Sequence, residues 1–380
     1  MRFRDSFVIF LLLFFLVGSP VAPLSAADED VGPLLLKLHA VAAKGVGNRE
    51  AAVAWRKLVK ADVSQLPAIL EGLDAAEPLA ANWIRGVVDT IAEAEMKKNG
   101  TLPLEGLQGY LDDVTHSPRG RRLAYEWIVR VDPAAEDRLI PKMLNDPSLE
   151  LRRDAVDRVV AHAEAAESSG NKEAAIAAYL QAIHAARDLD QIKSVTEKLR
   201  SFGAEVDLPS HFGFLLTWHL VAPFDNREGV GFDKAYTPER EVDLEANLQS
   251  QQGDVKWVLH RTNDEYGVVN LNETLGKFKG AVGYAYTTFV TAADTEADIR
   301  IGCINANKVW VNGQLLTANQ VYHAGMEIDQ YQASCQLKKG KNVILVKICQ
   351  NEQTESWAQR WQFQLRVCDE TGTAIASVVR

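Results

Sequence analysis

Cysteine is missing from most of this chain: all four, Cys303, Cys335, Cys349 and Cys368, fall in the last fifth. None forms a Cys-x-x-Cys pair, so neither a redox centre nor a zinc site is indicated. Four cysteines allow three disulfide pairings, and free thiols buried on strands fit the sequence equally well. Basic residues are outnumbered by acidic ones, 41 to 51, for a net charge of −10. Phosphate binding needs a basic face, so this balance argues against nucleic acid as a partner. Low-complexity tracts are absent, and no stretch after residue 17 is long and apolar enough to cross a bilayer. The Gly-x-Ser-x-Gly elbow, His-Glu-x-x-His, the Gly-x-Gly-x-x-Gly loop and the P-loop are all missing. The eight histidines are scattered, and the nearest pair in the C-terminal half, His211 and His219, would need further ligands to hold a metal. A non-catalytic protein is expected.

The N-terminus carries a processing pattern. Arg2 and Arg4 precede an unbroken apolar run, Phe7 to Val17. Small residues follow at Ser25-Ala26-Ala27, then acidic Asp28-Glu29-Asp30. This reads as a signal peptide over residues 1–27, and an extracytoplasmic location, secreted or periplasmic, is expected. No cysteine follows the run, so a lipid-modified N-terminus is not expected, and with no later apolar stretch no membrane span is expected once the segment is cleaved. At 380 residues the chain exceeds one ordinary core, and two domains are expected.

Residues 28–205 read as helical. In Asp154 to Ala166, Ala155, Val156, Val159, Val160 and Ala163 share one helical face. Breaks fall at Gly45-Val46-Gly47, Asn99-Gly100, Ser117-Pro118, Asp132-Pro133, Asp146-Pro147 and Ser169-Gly170. Asp132-Pro133 and Asp146-Pro147 each read as an N-cap with proline at the first helical position. Leu139 to Val160 resembles a HEAT repeat: Leu139, Ile140 and Leu144, then Asp146-Pro147, then Leu151-Arg152 and Ala155. Gly170, Ala174, Ala175, Tyr179, Ala182 and Ile183 resemble one tetratricopeptide unit. Both resemblances imply an α-solenoid-like array that presents a surface to a protein partner.

After Phe202-Gly203 the period changes. Leu208-Pro209-Ser210 reads as a linker, and residues 206–380 alternate as strands separated by Gly, Asn and Asp turns. The fold class expected is therefore multidomain α plus all-β, a helical array followed by a β-sandwich. Three stretches carry a closer resemblance. Tyr284 to Phe289 is an aromatic strand ending in Thr-Phe. Ile299 to Gly313 is a strand followed by a Val-Trp-Val-Asn-Gly hairpin. Leu337 to Ile348 reads LKKGKNVILVKI. Together they resemble a galactose-binding-like jelly roll, as in the sugar-binding domain of family 2 glycoside hydrolases. The resemblance implies fold and a glycan as ligand class. It does not imply catalysis, which in that family sits on a separate barrel domain.

Within NKVWVNGQLL, residues 307–316, β-branched residues alternate with Trp310, and Asn312-Gly313 suits a type I′ turn, so every residue has a folding role. Candidate ligand contacts lie elsewhere. Asp225 and Asn226 can hold a calcium ion or sugar hydroxyls, or simply close an Asx-turn. Asn263, Asp264 and Tyr266 follow Trp257, and an aromatic ring beside amide and carboxylate groups is how sugars are held. Trp357 sits in a polar loop, where an exposed indole needs a reason. The expectation is a glycan, or another extracellular ligand, bound by loops at one end of the sandwich. The rival is a structural adaptor that makes protein contacts only.

Overall fold

A computed structural model of the chain describes residues 30–378, so the signal segment lies outside the described residues. Helices fill the N-terminal half: α1 Val31–His39, α2 Asn48–Leu58, α3 Leu66–Glu71, α4 Pro78–Asn99, α5 Leu104–Asp112, α6 Pro118–Val131, α7 Ala135–Leu139, α8 Leu149–Ser168, α9 Lys172–Ala185, α10 Leu189–Ser201 and α11 Leu208–Phe212. The chain divides into two compact units between Pro133 and Ala134.

The first unit holds α1 to α6. Leu38, Leu58, Leu66, Ile84, Val88 and Leu107 are its fully buried apolar residues of largest consequence. Gly100 ends α4 in a left-handed conformation, and Ser117 caps α6 by accepting from Gly120 N at 3.1 Å. Asp74 joins α3 to α6, accepting from the Tyr110 hydroxyl at 3.0 Å and from Ser117 N at 2.7 Å.

The two Asp-Pro pairs, Asp132-Pro133 at the end of the first unit and Asp146-Pro147 in the second, depart from expectation. Asp132 closes the C-terminus of α6, its N–H bonded to Ile128 O, and Pro133 precedes the start of α7 by two residues. At the other pair the N-cap residue is Ser148, and Asp146 accepts from Ser148 N at 2.8 Å one turn earlier. Arg152 reaches back to Asp146 O at 2.7 Å, so the arginine does tie the turn to the helix. Leu208-Pro209-Ser210 is a capped helical turn rather than a free linker: Asp207 accepts from Ser210 N at 3.0 Å, and Leu208 and Phe212 are buried. They share one core with Tyr179, Ile192 and Leu199 of the helices and with Phe214 at the entry to the sandwich. The composition change near residue 205 is thus a change of secondary structure, while the contact boundary lies at Pro133.

Twelve strands follow: β1 Thr217–Asp225, β2 Leu248–Ser250, β3 Gly253–Val255, β4 Val258–Arg261, β5 Val269–Asn270, β6 Ala281–Thr291, β7 Thr295–Cys303, β8 Ala306–Val311, β9 Gln314–Asn319, β10 Tyr331–Leu337, β11 Gly340–Gln350 and β12 Gln362–Cys368. They form a six-stranded sheet, β4-β1-β6-β11-β8-β9, a four-stranded sheet, β10-β7-β12-β5, and the β2-β3 pair. All strand pairings are antiparallel. The chain is α plus all-β, and its main β core lies between the two larger sheets around Trp218, Phe289, Ile344, Trp361 and Phe363. A second core covers the other face of the six-stranded sheet with Phe224, Phe232, Trp257 and Tyr284.

The β8–β9 hairpin follows its sequence. Val309 and Val311 enter the main core, Trp310 packs on the opposite face, and Asn312 and Gly313 take φ of 51° and 80°. Asn312 is also anchored: its Nδ2 donates to Asn342 Oδ1 at 2.9 Å and its Oδ1 accepts from Val343 N at 2.9 Å. All four cysteines are free thiols on strands, and burial pushes Cys303 and Cys349 up to about 12.

Candidate functional site

A cleft of about 620 Å³ opens within the second unit. One wall is Arg187, in the segment after α9, with Leu189 and Lys193 of α10. Tyr266 and Phe212 form an aromatic wall, their ring centroids 6.1 Å apart. The loop Met326 to Asp329 closes the other side, and Gln364 and Arg366 of β12 lie at the floor.

Local sequence explains this shape. Asp264 Oδ1 accepts from Tyr266 N at 2.9 Å and Val268 N at 3.1 Å, which curls the β4–β5 loop. Gly267 takes φ +67°, and a Cβ there would sit 2.6 Å from Phe214 Cβ. Only glycine lets this turn close against Phe214 and present Tyr266 to the cleft. Gly302 serves the opposite wall. A Cβ there would stand 2.3 Å from Glu327 O and 3.0 Å from Gln364 Nε2.

Gln364 is the unusual group. In QFQLRVC, Phe363, Leu365 and Val367 point into the main core, so Gln364 and Arg366 lie on the outer face of β12. That face is covered: Gln364 is 3% exposed. No hydrogen bond to its side-chain amide is found among the described residues, yet it is not one of the fully enclosed polar groups left without a partner, so the amide opens on the cleft that it lines.

Arg366 beside it is fully engaged. Its Nε and Nη2 grip Asp329 at 2.6 and 2.5 Å, and its Nη1 donates to Phe212 O at 3.1 Å and Gly372 O at 2.9 Å. Arg300 Nη1 adds a third bond to Asp329, at 3.1 Å. Burial raises the affinity of Asp329 for a proton, but Arg366 and Arg300 outweigh it and hold the carboxyl below its ordinary range. Asp329 thus pins the cleft loop to β7 and β12. Nearby, burial pushes His211 down to about 4, with Arg187 and Arg366 acting in the same direction.

The residues anticipated as one ligand site fall into separate places. β1 runs from Thr217, opposite Arg261, to Asp225, opposite Ala281. Its nine residues set the Asn263–Tyr266 loop roughly 25–30 Å from Asp225, Asn226 and the end of β11 that leads to Trp357. A single loop end uniting Trp257, Trp357 and the Asn263-Asp264 turn is therefore ruled out. Trp257 is 8% exposed and packs on Tyr286, so its ring offers no open face. Asp264 spends its carboxylate on its own turn, Asn263 is exposed beside it, and of that loop Tyr266 lines the cleft.

Asp225 is likewise committed, and Asn226 is engaged through its Nδ2 while its buried Oδ1 has no partner among the described residues. Asp225 receives Arg227 Nε at 2.9 Å, Arg227 Nη2 at 2.9 Å and Gln251 Nε2 at 2.7 Å, and Arg227 holds its carboxyl well below the usual range. Those bonds take up the oxygens a calcium ion would need. Among the described residues no group of three or more His, Cys, Asp or Glu could hold a metal. Asn226 is fully buried and donates to the Tyr322 hydroxyl at 3.1 Å and Gln350 O at 3.0 Å. Trp357 is 56% exposed and meets His323 edge-on, with ring centroids 5.2 Å apart.

Sequence reading missed Arg187, Lys193 and Gln364. Gln364 had a signal, the polar–apolar alternation of β12, but nothing local shows that its outer face is covered. It also missed Lys347, which is fully buried on β11. Lys347 Nζ donates to Glu239 Oε1 at 2.8 Å, Phe232 O at 3.1 Å and Lys234 O at 2.9 Å, and the Tyr284 hydroxyl also donates to Glu239. Every donor is used, so this cluster pins the 232–239 segment to the sheet.

No protein-family model matches the chain, and no curated protein matches it in sequence. Among solved structures, an anti-sigma factor domain-containing protein is similar over 43% of this chain and 46% of its own, at 11% identity and a TM-score of 0.26. A beta-glucosidase from Kluyveromyces marxianus in complex with glucose covers 34% of this chain and 17% of its own, at 13% identity and a TM-score of 0.23. A family 35 carbohydrate binding module from Clostridium thermocellum covers 23% of this chain and 71% of its own, at 13% identity and a TM-score of 0.18. The chain spans less than half the length of the first two.

Proposed function

We propose that this chain is a non-catalytic, extracytoplasmic binding protein that takes a glycan in the cleft beside Tyr266. The observation that carries the reading is the Gln364 amide, which opens on that cleft with no hydrogen bond from the described residues. A sugar hydroxyl both donates and accepts, which matches an amide that does the same. The Tyr266 ring, with Phe212 packed behind it, supplies the apolar surface on which a sugar face stacks. The jelly-roll resemblance of residues 281–350 implies the same ligand class. Arg2, Arg4, the Phe7–Val17 run and Ser25-Ala26-Ala27 support export.

Non-catalysis has its own support. Glycoside hydrolysis needs a pair of free carboxyl groups across the scissile bond. Of the carboxylates lining the cleft, Asp329 is held by Arg366 and Arg300, and Asp188 lies 3.4 Å from Arg153. Glu327 alone is left, and one carboxylate does not make the pair.

The test is a glycan-array screen of the full mature chain, with and without calcium, alongside Gln364→Leu and Tyr266→Ala. A fragment starting at residue 206 would lose Arg187, Leu189 and Lys193 from the cleft wall. Binding by the parent that both variants abolish is the expected result. A folded parent that binds no glycan would overturn the reading and put the structural adaptor in its place.

A further inference from the structure

We infer that the glycan taken by this cleft is acidic, its carboxylate or sulfate ester received by Arg187 and Lys193. The inference rests on the glycan reading above and adds the charge of the ligand. Arg187 is half-buried, yet its guanidinium meets only neutral acceptors. Nε and Nη2 both donate to Thr373 Oγ1, at 3.1 and 3.0 Å. Nη1 donates to the carbonyls of His184, Ala185 and Ala186 at 3.0, 3.2 and 2.7 Å. The second N–H of Nη2 has no partner among the described residues, and Arg187 lines the cleft. An enclosed cation is ordinarily set on an anion, and among the described residues no carboxylate pairs with this one.

The surroundings sharpen the point. Burial pushes Arg187 down to about 10, with Arg152 and Arg366 acting the same way and Asp369 opposing them without forming an ion pair. Lys193 stands at the same wall, 5.8 Å from the Tyr266 ring centroid, with no carboxylate on it among the described residues. The opposing charges are accounted for. Asp188 is engaged by Arg153 and Asp329 by Arg366 and Arg300, while Glu327 is exposed and unpaired. Two unpaired cations therefore face one unpaired carboxylate. Arg187 and Lys193 flank Tyr266 and the Gln364 amide, so a ring stacked on Tyr266 presents an acidic substituent to both.

The experiment uses the full mature chain on an array of neutral, uronate-bearing and sulfated oligosaccharides, followed by titration calorimetry at low salt. The best uronate ligand is compared with its carboxyl-reduced form, which keeps the ring and loses the charge. The acidic form is expected to bind about tenfold tighter. Lys193→Gln, at an exposed site, should shrink that ratio several-fold, and Glu327→Gln should raise it. Arg187→Lys keeps the charge but loses the planar fork, so it should lower the ratio more for a carboxylate than for a sulfate ester. Uronate hits without sulfated ones assign a carboxylate, and the reverse assigns a sulfate ester. Neutral ligands bound as tightly as acidic ones, or a ratio unmoved by Lys193→Gln and Glu327→Gln, would overturn the inference and leave glycan binding standing. A folded chain that binds nothing on the array overturns both.

Discussion

Replacing Gln364 by Leu is expected to weaken binding while leaving stability nearly unchanged. The native amide opens on the cleft and meets water there, so removing it neither strands nor releases an enclosed polar group. Leucine is close in size, so Tm should move by less than about 2 °C. Binding loses the hydrogen bonds the amide makes to ligand, about 1–3 kcal/mol, or roughly 5- to 150-fold in Kd. Thermal unfolding and calorimetric titration on one preparation read both effects. A Tm several degrees lower with ligand affinity intact would refute the reasoning, because it would mean that the amide is satisfied within the fold. Binding lost without loss of stability is what a residue kept for function produces, since a residue kept for packing loses stability when it is changed.

Other outcomes follow from buried charge and from the thiols. Lys347→Met should destabilise the protein by about 3–5 kcal/mol, because it strands Glu239 beside Tyr284, and pairing it with Glu239→Leu should recover much of the loss in a double-mutant cycle. Acidification should unfold the second unit in two steps. His211, held down near 4 in the fold and ordinarily near 6.5, contributes stability that is lost as pH falls from about 6.5 to 4, up to roughly 3 kcal/mol. Asp329, lowered by its arginines, contributes stability present above the ordinary carboxylate range and lost as pH drops below it. Chemical denaturation followed across pH 7 to 3 should show both, and a His211→Gln variant that kept the first step would assign it elsewhere. The four thiols should be silent to a thiol reagent at neutral pH in the native protein and all titrate in denaturant, since burial pushes Cys335 and Cys368 up to about 11 and Cys303 and Cys349 higher. Fewer than four reactive thiols after denaturation without reductant would mean disulfides.

Much of the fold was legible because its signals are local. The period of α8, the Ser117 cap, the alternation of QFQLRVC and the positive-φ pair Asn312-Gly313 each act over a few residues, and the structure builds each where the pattern lies. The Asp-Pro turns were read less well, because capping depends on which neighbouring oxygen reaches the free N–H groups, and Asp146 bonds Ser148 N in place of starting the helix itself. Trp257 and Tyr266 lie nine positions apart and look equivalent in sequence, yet one is sealed in a core and the other lines the cleft.

The site itself came from tertiary structure alone. Sequence set Gln364 on the outward face of a strand, where solvent is the ordinary neighbour. The packing of α9 to α11 and the Met326–Asp329 loop against that face buried it instead, and Asp329 joined Arg300 to Arg366 across strands to hold the loop there. Likewise β1, by its length, carried Asp225 and Asn226 away from Tyr266. Local alternation decides which way a side chain points. What meets it there is decided by contacts between segments distant in sequence, and those exist only once the chain has folded.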